Sequence, residues 1–232
     1  MSGRGSVSLK RFSFVLGPLA DGPESLEVYI PEVLDPQYGL YIWPCSVVLA
    51  QYVWFNKSEV KGKTILEIGA GASLPGIVAA KCGASVILSD SAVFQNCLDN
   101  CQRSCQINNL EDVPVIGLTW GQISPDLVQL PQIDIILGSD VFYEPEDFED
   151  ILTTVFYLMQ KNPSALFWTT YQERSADWSI EALLYKWNLK CIHIQLETFS
   201  ADEEHLAGSA LPGSHTVHMM IIGLKSNITS VI

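Results

Sequence analysis

Long apolar runs are missing from this sequence. No stretch approaches the roughly twenty apolar residues that a helix needs to cross a bilayer, so no membrane association is expected. Basic residues are scarce: Lys and Arg number 13 against 26 Asp and Glu, a net charge of −13. Nucleic-acid binding is largely phosphate neutralisation by Lys and Arg, so no direct nucleic-acid contact is expected. The same field would attract a basic partner, although a run of acids is also what an ordinary solvated face looks like. Histidine is sparse. His193, His205, His215 and His218 fall late in the chain without compact ligand spacing, so no metal site is expected. There is no internal repeat, low-complexity tract or second-domain boundary.

What remains is the make-up of a globular chain. Its 232 residues suit one domain with a full core, and 48% hydrophobic with 17% charged residues excludes wholesale disorder. The N-terminal "KRFSFVLGPL" has a basic flank, but its apolar core is too short for a signal peptide and stops at Gly-Pro. Cys97, Cys101 and Cys105 recur every four residues and make a stripe on one helical face. That spacing suits neither disulfides nor Cys-x-x-Cys zinc sites, and it reads as small residues packed in a reducing compartment. A cytoplasmic and nuclear location is expected, in which case the Asn-x-Ser/Thr triplets at Asn56 and Asn227 carry no information.

The runs "FSFVL" (12–16) and "LEVYI" (26–30), separated by turn formers, read as a hairpin. "CSVVLAQYVWF" (45–55) has the spacing of a buried helix. From "KTILEIG" onward, strands and helices alternate. The strands are "KTILEIG", "ASVILSD", "VPVIGLTW", "QIDIILGSD" and "SALFWTTY". Between them lie a helix closed by Gly83, one beginning near Ser91 as N-cap, and one with Pro145 near its start; "SADWSIEALLYKWN" follows the fifth strand as a further helix. The last two strand-like runs, "KCIHIQLE" and "HTVHMMIIGLK", are joined by a polar insertion (197–215) without a clear helix and should pair antiparallel. Repeated strand–helix units predict an α/β fold with a parallel sheet covered on both faces. Ligands of such sheets bind beyond the carboxyl ends of the strands. The residues there are Glu67 to Gly71, Asp90, Trp120, Ser139 with Asp140, and Tyr171.

Gly69 and Gly71 form Gly-x-Gly, but Leu74 stands where a dinucleotide fingerprint has its third glycine. The pair is either a tight strand-to-helix turn or a turn that lets a ligand approach the backbone. A carboxylate at Glu67 would be unfavourable beside a pyrophosphate and favourable beside an ammonium group. Asp90 can accept hydrogen bonds from both hydroxyls of a ribose, in a nicotinamide enzyme as well as elsewhere. Trp120 is either an adenine platform or rim packing, and Trp43 taken alone reads as packing. Asp140 ends a hydrophobic strand, where an unpaired charge is poorly explained by packing.

Together, "ILEIGAGASLPG", "LSDS", "LTWG" and "ILGSDVFYEPEDFEDIL" resemble the motifs of the seven-β-strand, S-adenosylmethionine-dependent methyltransferases, and more narrowly the methyltransferase-like family 16 group. That group carries Glu-x-Gly-x-Gly-x-Gly, Trp-Gly after the third strand and Asp-x-x-Tyr after the fourth. The resemblance runs from about Trp43 through the closing strands. It departs at Ser73, which replaces the third glycine; serine is small, so the turn is expected to survive. The resemblance implies a Rossmann-like sheet of core-strand order 3-2-1-4-5-7-6 with the seventh strand antiparallel. Residues 41–232 would form the class I methyltransferase domain, with 1–40 an N-terminal hairpin extension packed on it.

The resemblance also implies S-adenosyl-L-methionine as donor and S-adenosyl-L-homocysteine as product. It places the methionine moiety at the turn of Gly69, Ala70 and Gly71 with Glu67 beneath it. Asp90 would hold the ribose, Trp120 would flank the adenine, Ser139 would offer backbone contact and Trp43 would cover the pocket. Asp140 would orient an incoming amine or guanidinium, Tyr143 would wall the channel, and Glu144 would add a carboxylate. Paired acids can grip a guanidinium bidentately, so arginine stands beside lysine as acceptor. The acids from Glu144 to Asp150 also suit a plain helix N-terminus. The expected activity is protein N-methylation, with a histone or a chaperone-type protein as candidate partner. A small-molecule methyltransferase and a non-catalytic cofactor-binding module are the alternatives.

Overall fold

The computed structural model describes residues 7–19, 22–33, 39–174, 180–209 and 216–226. The chain opens with an antiparallel hairpin, β1 (Val7–Leu19) and β2 (Gly22–Val33), followed by α1 (Pro44–Phe55) and the short α2 (Lys57–Val60). Alternation then sets in: β3 (Thr64–Glu67), α3 (Leu74–Lys81), β4 (Ser85–Asp90), α4 (Gln95–Ile107), β5 (Val115–Gly117), α5 (Pro125–Gln129) and β6 (Ile135–Ser139). A 3-10 turn (Pro145–Asp147) leads into α6 (Phe148–Lys161), then β7 (Leu166–Gln172), α7 (Glu181–Lys186), β8 (Leu189–Ile194) and β9 (Val217–Leu224).

Seven strands form one sheet in the order β5-β4-β3-β6-β7-β9-β8. Counted over this sheet alone, the order is the expected 3-2-1-4-5-7-6. The first five strands run parallel, and β9 is antiparallel to both β7 and β8. The chain passes from β3 to β4 on one side and returns to β6 on the other. The carboxyl end of β3 is therefore the switch point at which such sheets open a crevice.

Alternation along the strands divides the core into two layers. Ile65, Leu137, Trp168 and Ile221 face a layer built with α1, α3 and the hairpin. Their neighbours Leu66, Ile136, Phe167 and Ile222 face a layer built with α6 and α7. Helix α1 is buried at every position from Cys45 to Trp54, the pattern of a helix enclosed on all sides. Thr170 Oγ1 donates to the Cys45 carbonyl (2.8 Å) and Gln51 Nε2 to the Phe199 carbonyl (3.0 Å), which fix α1 against the sheet and the late insertion.

Local departures from the expected elements have simple causes. Both hairpin strands extend beyond the expected runs, because Phe12, Phe14, Val28 and Ile30 are buried and the flanking residues complete the ladder. Asn108 binds both backbone groups of Tyr29, accepting at 3.0 Å and donating at 2.6 Å, and so ties the hairpin to α4. Ser91 does not cap a helix: its Oγ accepts from Val93 N at 3.4 Å and its carbonyl from Phe94 N at 3.1 Å in a separate turn, and α4 begins at Gln95. The third core strand shrinks to Val115–Gly117, as its chain turns away after Leu118 N donates to the Asp90 carbonyl. The helix after β7 covers only Glu181–Lys186, and residues 175–179 of that stretch lie outside the described residues, as do 210–215 of the late insertion. The described part of the insertion forms two 3-10 turns (Leu196–Phe199 and Leu206–Gly208) whose Phe199 and Leu206 are buried.

Phe14→Ala is expected to lower global stability by about 3–5 kcal/mol, the range for a buried phenylalanine. Val15→Ala, on the half-exposed outer side, should stay within about 0.5 kcal/mol. Denaturant unfolding of both variants checks this; a hairpin that can detach from a stable core would make the two indistinguishable.

Candidate active site

The chain leaves β3 at Glu67 and reverses through left-handed glycines, Gly69 at φ 58° and Gly71 at φ 49°. A Cβ on Gly69 would sit 2.9 Å from Trp120 Cζ2, and one on Gly71 would sit 2.5 Å from the Gly39 carbonyl oxygen. Both positions need glycine for conformation and for close approach alike. Ser73 also adopts a positive φ, 65°, so the turn accepts serine in place of a third glycine. Helix α4 supports the turn from behind: Cys101 Sγ lies 3.5 Å from the Gly71 carbonyl oxygen and Ser104 Oγ donates to that of Ala72 at 3.1 Å. The cysteine stripe is thus a packed face, with Cys97, Cys101 and Cys105 all buried and none joined in a disulfide. Burial raises the pKa of Cys101 well above that of a free thiol, and burial followed by the Asp140 charge does the same to Cys45.

Two carboxylates hold the turn by its amides. Asp90 Oδ2 accepts from Gly71 N and Oδ1 from Ser91 N, both at 2.7 Å. Burial pushes the Asp90 pKa up while those two donors pull it down. Glu67 is fully buried, and its Oε2 accepts from Gly76 N in the first turn of α3 at 3.0 Å. Burial, reinforced by the Asp90 charge and opposed by the Gly76 amide, pushes its pKa up to about 8. Glu67 therefore corrects the expectation of a cofactor-facing charge. Alternation along β3 points it to the same side as Ile65, under α3, where it braces the turn and keeps its proton at neutral pH.

A cavity of about 660 Å³ opens at the switch point. Of the sequence-derived residues, Trp43, Gly69, Ala70, Gly71, Asp90, Trp120, Ser139, Asp140, Tyr143 and Glu144 line it, and Glu67 does not. Tyr41, in edge contact with Trp43 at 4.9 Å between centroids, joins the wall, as do Phe94, Asp147, Asp150 and Arg174. A second cavity of about 500 Å³ follows β8 and the insertion, beside His193 and His218, away from the glycine turn. Among the described residues no group of three His, Cys, Asp or Glu could hold a metal, and no helix is long and apolar enough to cross a membrane.

Asp140 follows β6 in a left-handed conformation, φ 55°, with its amide donating to the Thr170 carbonyl at 2.8 Å. Arg174 grips it bidentately: Nη1 donates to Oδ1 at 2.9 Å and Nη2 to Oδ2 at 2.6 Å. Sequence reasoning left Asp140 open to a ligand and did not identify Arg174. The fifth core strand runs one residue past Tyr171, to Gln172, so Arg174 lies at a strand end that was placed too early. Five acids (Asp90, Asp140, Glu144, Asp147 and Asp150) line the cavity with one base, Arg174, among the described residues. Tyr143 records the resulting field: burial raises the pKa of its phenol, and Asp147, Asp90, Glu144 and Asp140 each push it further up. The cavity thus joins a glycine-floored, tryptophan-flanked half to an acidic rim suited to a cation.

A family profile described as "Lysine methyltransferase" matches residues 24–181. The chain is 68% identical over 201 residues to the Histone-arginine methyltransferase METTL23 of Xenopus laevis, covering 87% of this chain and 86% of that protein. It is 64% identical over 217 residues to the Mus musculus protein of the same name, covering 93% and 86%. At 36% identity over 118 residues it resembles the Protein N-lysine methyltransferase METTL21A of Danio rerio, covering 50% of this chain and 54% of that one. Among solved structures, a SAM Dependent Methyltransferase from Agrobacterium tumefaciens superposes with a TM-score of 0.54 at 15% identity, covering 92% and 70% of the two chains. The magnesium protoporphyrin IX methyltransferase of Synechocystis PCC 6803, solved with bound SAM, gives 0.52 at 14% identity, covering 78% and 79%. At these identities the structural likeness speaks for the fold.

Glu67 makes a pH prediction. Unfolded, it loses its proton near 4.5, and folded near 8, so between these values the native state holds the extra proton and stability falls as pH rises. The slope from this group is at most about 1.4 kcal/mol per pH unit. Glu67→Gln keeps an acceptor for Gly76 N and removes the titration. Urea midpoints from pH 5 to 8 should fall less steeply in the variant; parallel curves would refute the assignment.

Proposed function

The chain belongs to the lysine methyltransferase family, and from that premise we propose that it transfers a methyl group from S-adenosyl-L-methionine to a guanidinium nitrogen of arginine in a basic protein, histones foremost. The observation that carries this reading is the single cavity joining the Asp90-braced glycine turn to the rim of Asp140, Glu144 and Asp147. The choice of arginine rests on relatives at 63–68% identity, each named a histone-arginine methyltransferase. Lysine is the second reading, supported by the family's description and by METTL21A at lower identity and coverage.

The cavity suits a sulfonium nucleoside. Each Asp90 oxygen already takes one backbone donor and has a lone pair left for a ribose hydroxyl. Trp120, packed beside Gly69, offers an aromatic ring to the adenine, and Trp43 with Tyr41 adds to the aromatic lining. The backbone from Gly69 to Gly71 and at Ser139 can approach the methionine portion. The bound donor supplies an electrophilic methyl group on a good leaving group. This chain's residues then have to align and polarise the acceptor. Carboxylates on the rim would pin the outer N–H groups of a guanidinium and turn one nitrogen inward, with Tyr143 as a neutral wall. Glu144, exposed at the mouth, is placed to take the released proton to solvent. A histone substrate would require nuclear access, in keeping with a nuclear as well as cytoplasmic location.

Incubation with labelled donor and a panel of basic proteins, histones included, is expected to label an arginine, identified by mass spectrometry. Asp140→Ala should lower kcat/KM about 100-fold or more, since it removes a buried, doubly hydrogen-bonded carboxylate. By calorimetry, Asp90→Ala should weaken S-adenosyl-L-homocysteine at least about tenfold. Label confined to small metabolites, or tight homocysteine-nucleoside binding with no labelled product, would reject the proposal.

A further inference from the structure

Arg174 lines the cavity and takes up the carboxylate proposed to orient the acceptor. Both Asp140 oxygens are engaged by its guanidinium, and Oδ1 also faces the Gln172 amide at 3.4 Å. The Asp140 side chain is only 5% exposed, whereas that of Arg174 is 30% exposed. The more exposed guanidinium therefore occupies the oxygens that another cation would have to bind. A carboxylate this deep is destabilising when unpaired, so without a substrate the chain must furnish a counter-ion.

Resting on the methyltransferase reading above, we propose that Arg174 stands in for the acceptor: it holds Asp140 until a substrate guanidinium replaces it. Exchange of one planar fork for another preserves both N–H···O bonds to Asp140, so the carboxylate is never left bare. An ammonium is a point donor that cannot reproduce the paired bonds of a planar fork, so it is the weaker occupant of the same place. Glu144 and Asp147 line the same cavity and offer the displaced Arg174 other carboxylates.

The test compares the full chain with Arg174→Gln and Arg174→Lys on one basic peptide carrying either arginine or lysine as acceptor, at saturating donor. With its competitor removed, Arg174→Gln should bind the arginine peptide more tightly, with KM lower by about tenfold and kcat within about twofold. KM for the lysine peptide should fall by a similar factor, because an internal competitor penalises every acceptor alike. Arg174→Lys, which keeps charge but loses the fork, should shift in the same direction by less, and it carries the comparison if the glutamine variant is unstable. A raised or unchanged KM, or a fall in kcat alone, would overturn the proposal and leave Arg174 as a positioning partner of Asp140. Calorimetry with methylguanidine, in the presence of S-adenosyl-L-homocysteine, needs no turnover. Tighter binding to Arg174→Gln than to wild type supports the exchange, and equal or weaker binding overturns it. Absence of methylation by wild type on either peptide would count against the parent reading, while the methylguanidine titration still decides this one.

Discussion

The turn between β3 and α3 has no side chain at its two tightest points, so it cannot hold its own shape. It is held by carboxylates instead. Glu67 takes the Gly76 amide from below, Asp90 takes the Gly71 amide from the adjacent strand, and α4 takes the carbonyls of Gly71 and Ala72. Each of these groups comes from a different element, so the turn can form only once the sheet and both helices are in place. A Cβ on Gly76 would collide with Glu67 and Leu88, which shows how closely α3 is drawn onto the acid beneath it. The two acids also show how one residue type serves two ends. Glu67 is sealed and mostly protonated at neutral pH, while Asp90 opens on the cavity with lone pairs to spare.

The rest of the cavity follows from the ends of the neighbouring strands. Trp120 beyond β5, Asp140 beyond β6 and Arg174 beyond β7 converge because parallel strands deliver their carboxyl ends to one edge. The concentration of acids on that edge matches the chain's overall excess of negative charge. Arg174 offsets one of those charges where burial makes an unpaired carboxylate least tolerable.

Much of this was legible in the residues. Continuous aliphatic runs at 65–66, 86–88 and 135–137 mark buried parallel strands, and the helix-free connection before β9 signals the antiparallel closure. The wall of the cavity was legible because strand ends can be located by where such runs stop. What escaped was set by partners distant in sequence. Ser91 has the chemistry of a helix cap, but its oxygens close a separate turn with Val93 and Phe94 ahead of α4. Arg174 and Asp140 are 34 residues apart, and no periodicity links them. The side on which Glu67 lies could have been read from strand alternation, because it shares parity with Ile65; its protonation could not, since that depends on complete enclosure.

The sulfurs behind the glycine turn and Asp140 acquire a meaning from their burial. An alkylating cofactor held within reach of ionised cysteine would lose its methyl group to the enzyme itself. Cys45 and Cys101 are both driven far from ionisation by their surroundings, and a thiol that keeps its proton is a weak nucleophile. The same packing that supports the turn and Asp140 thus keeps these two thiols protonated, so neither is a ready nucleophile.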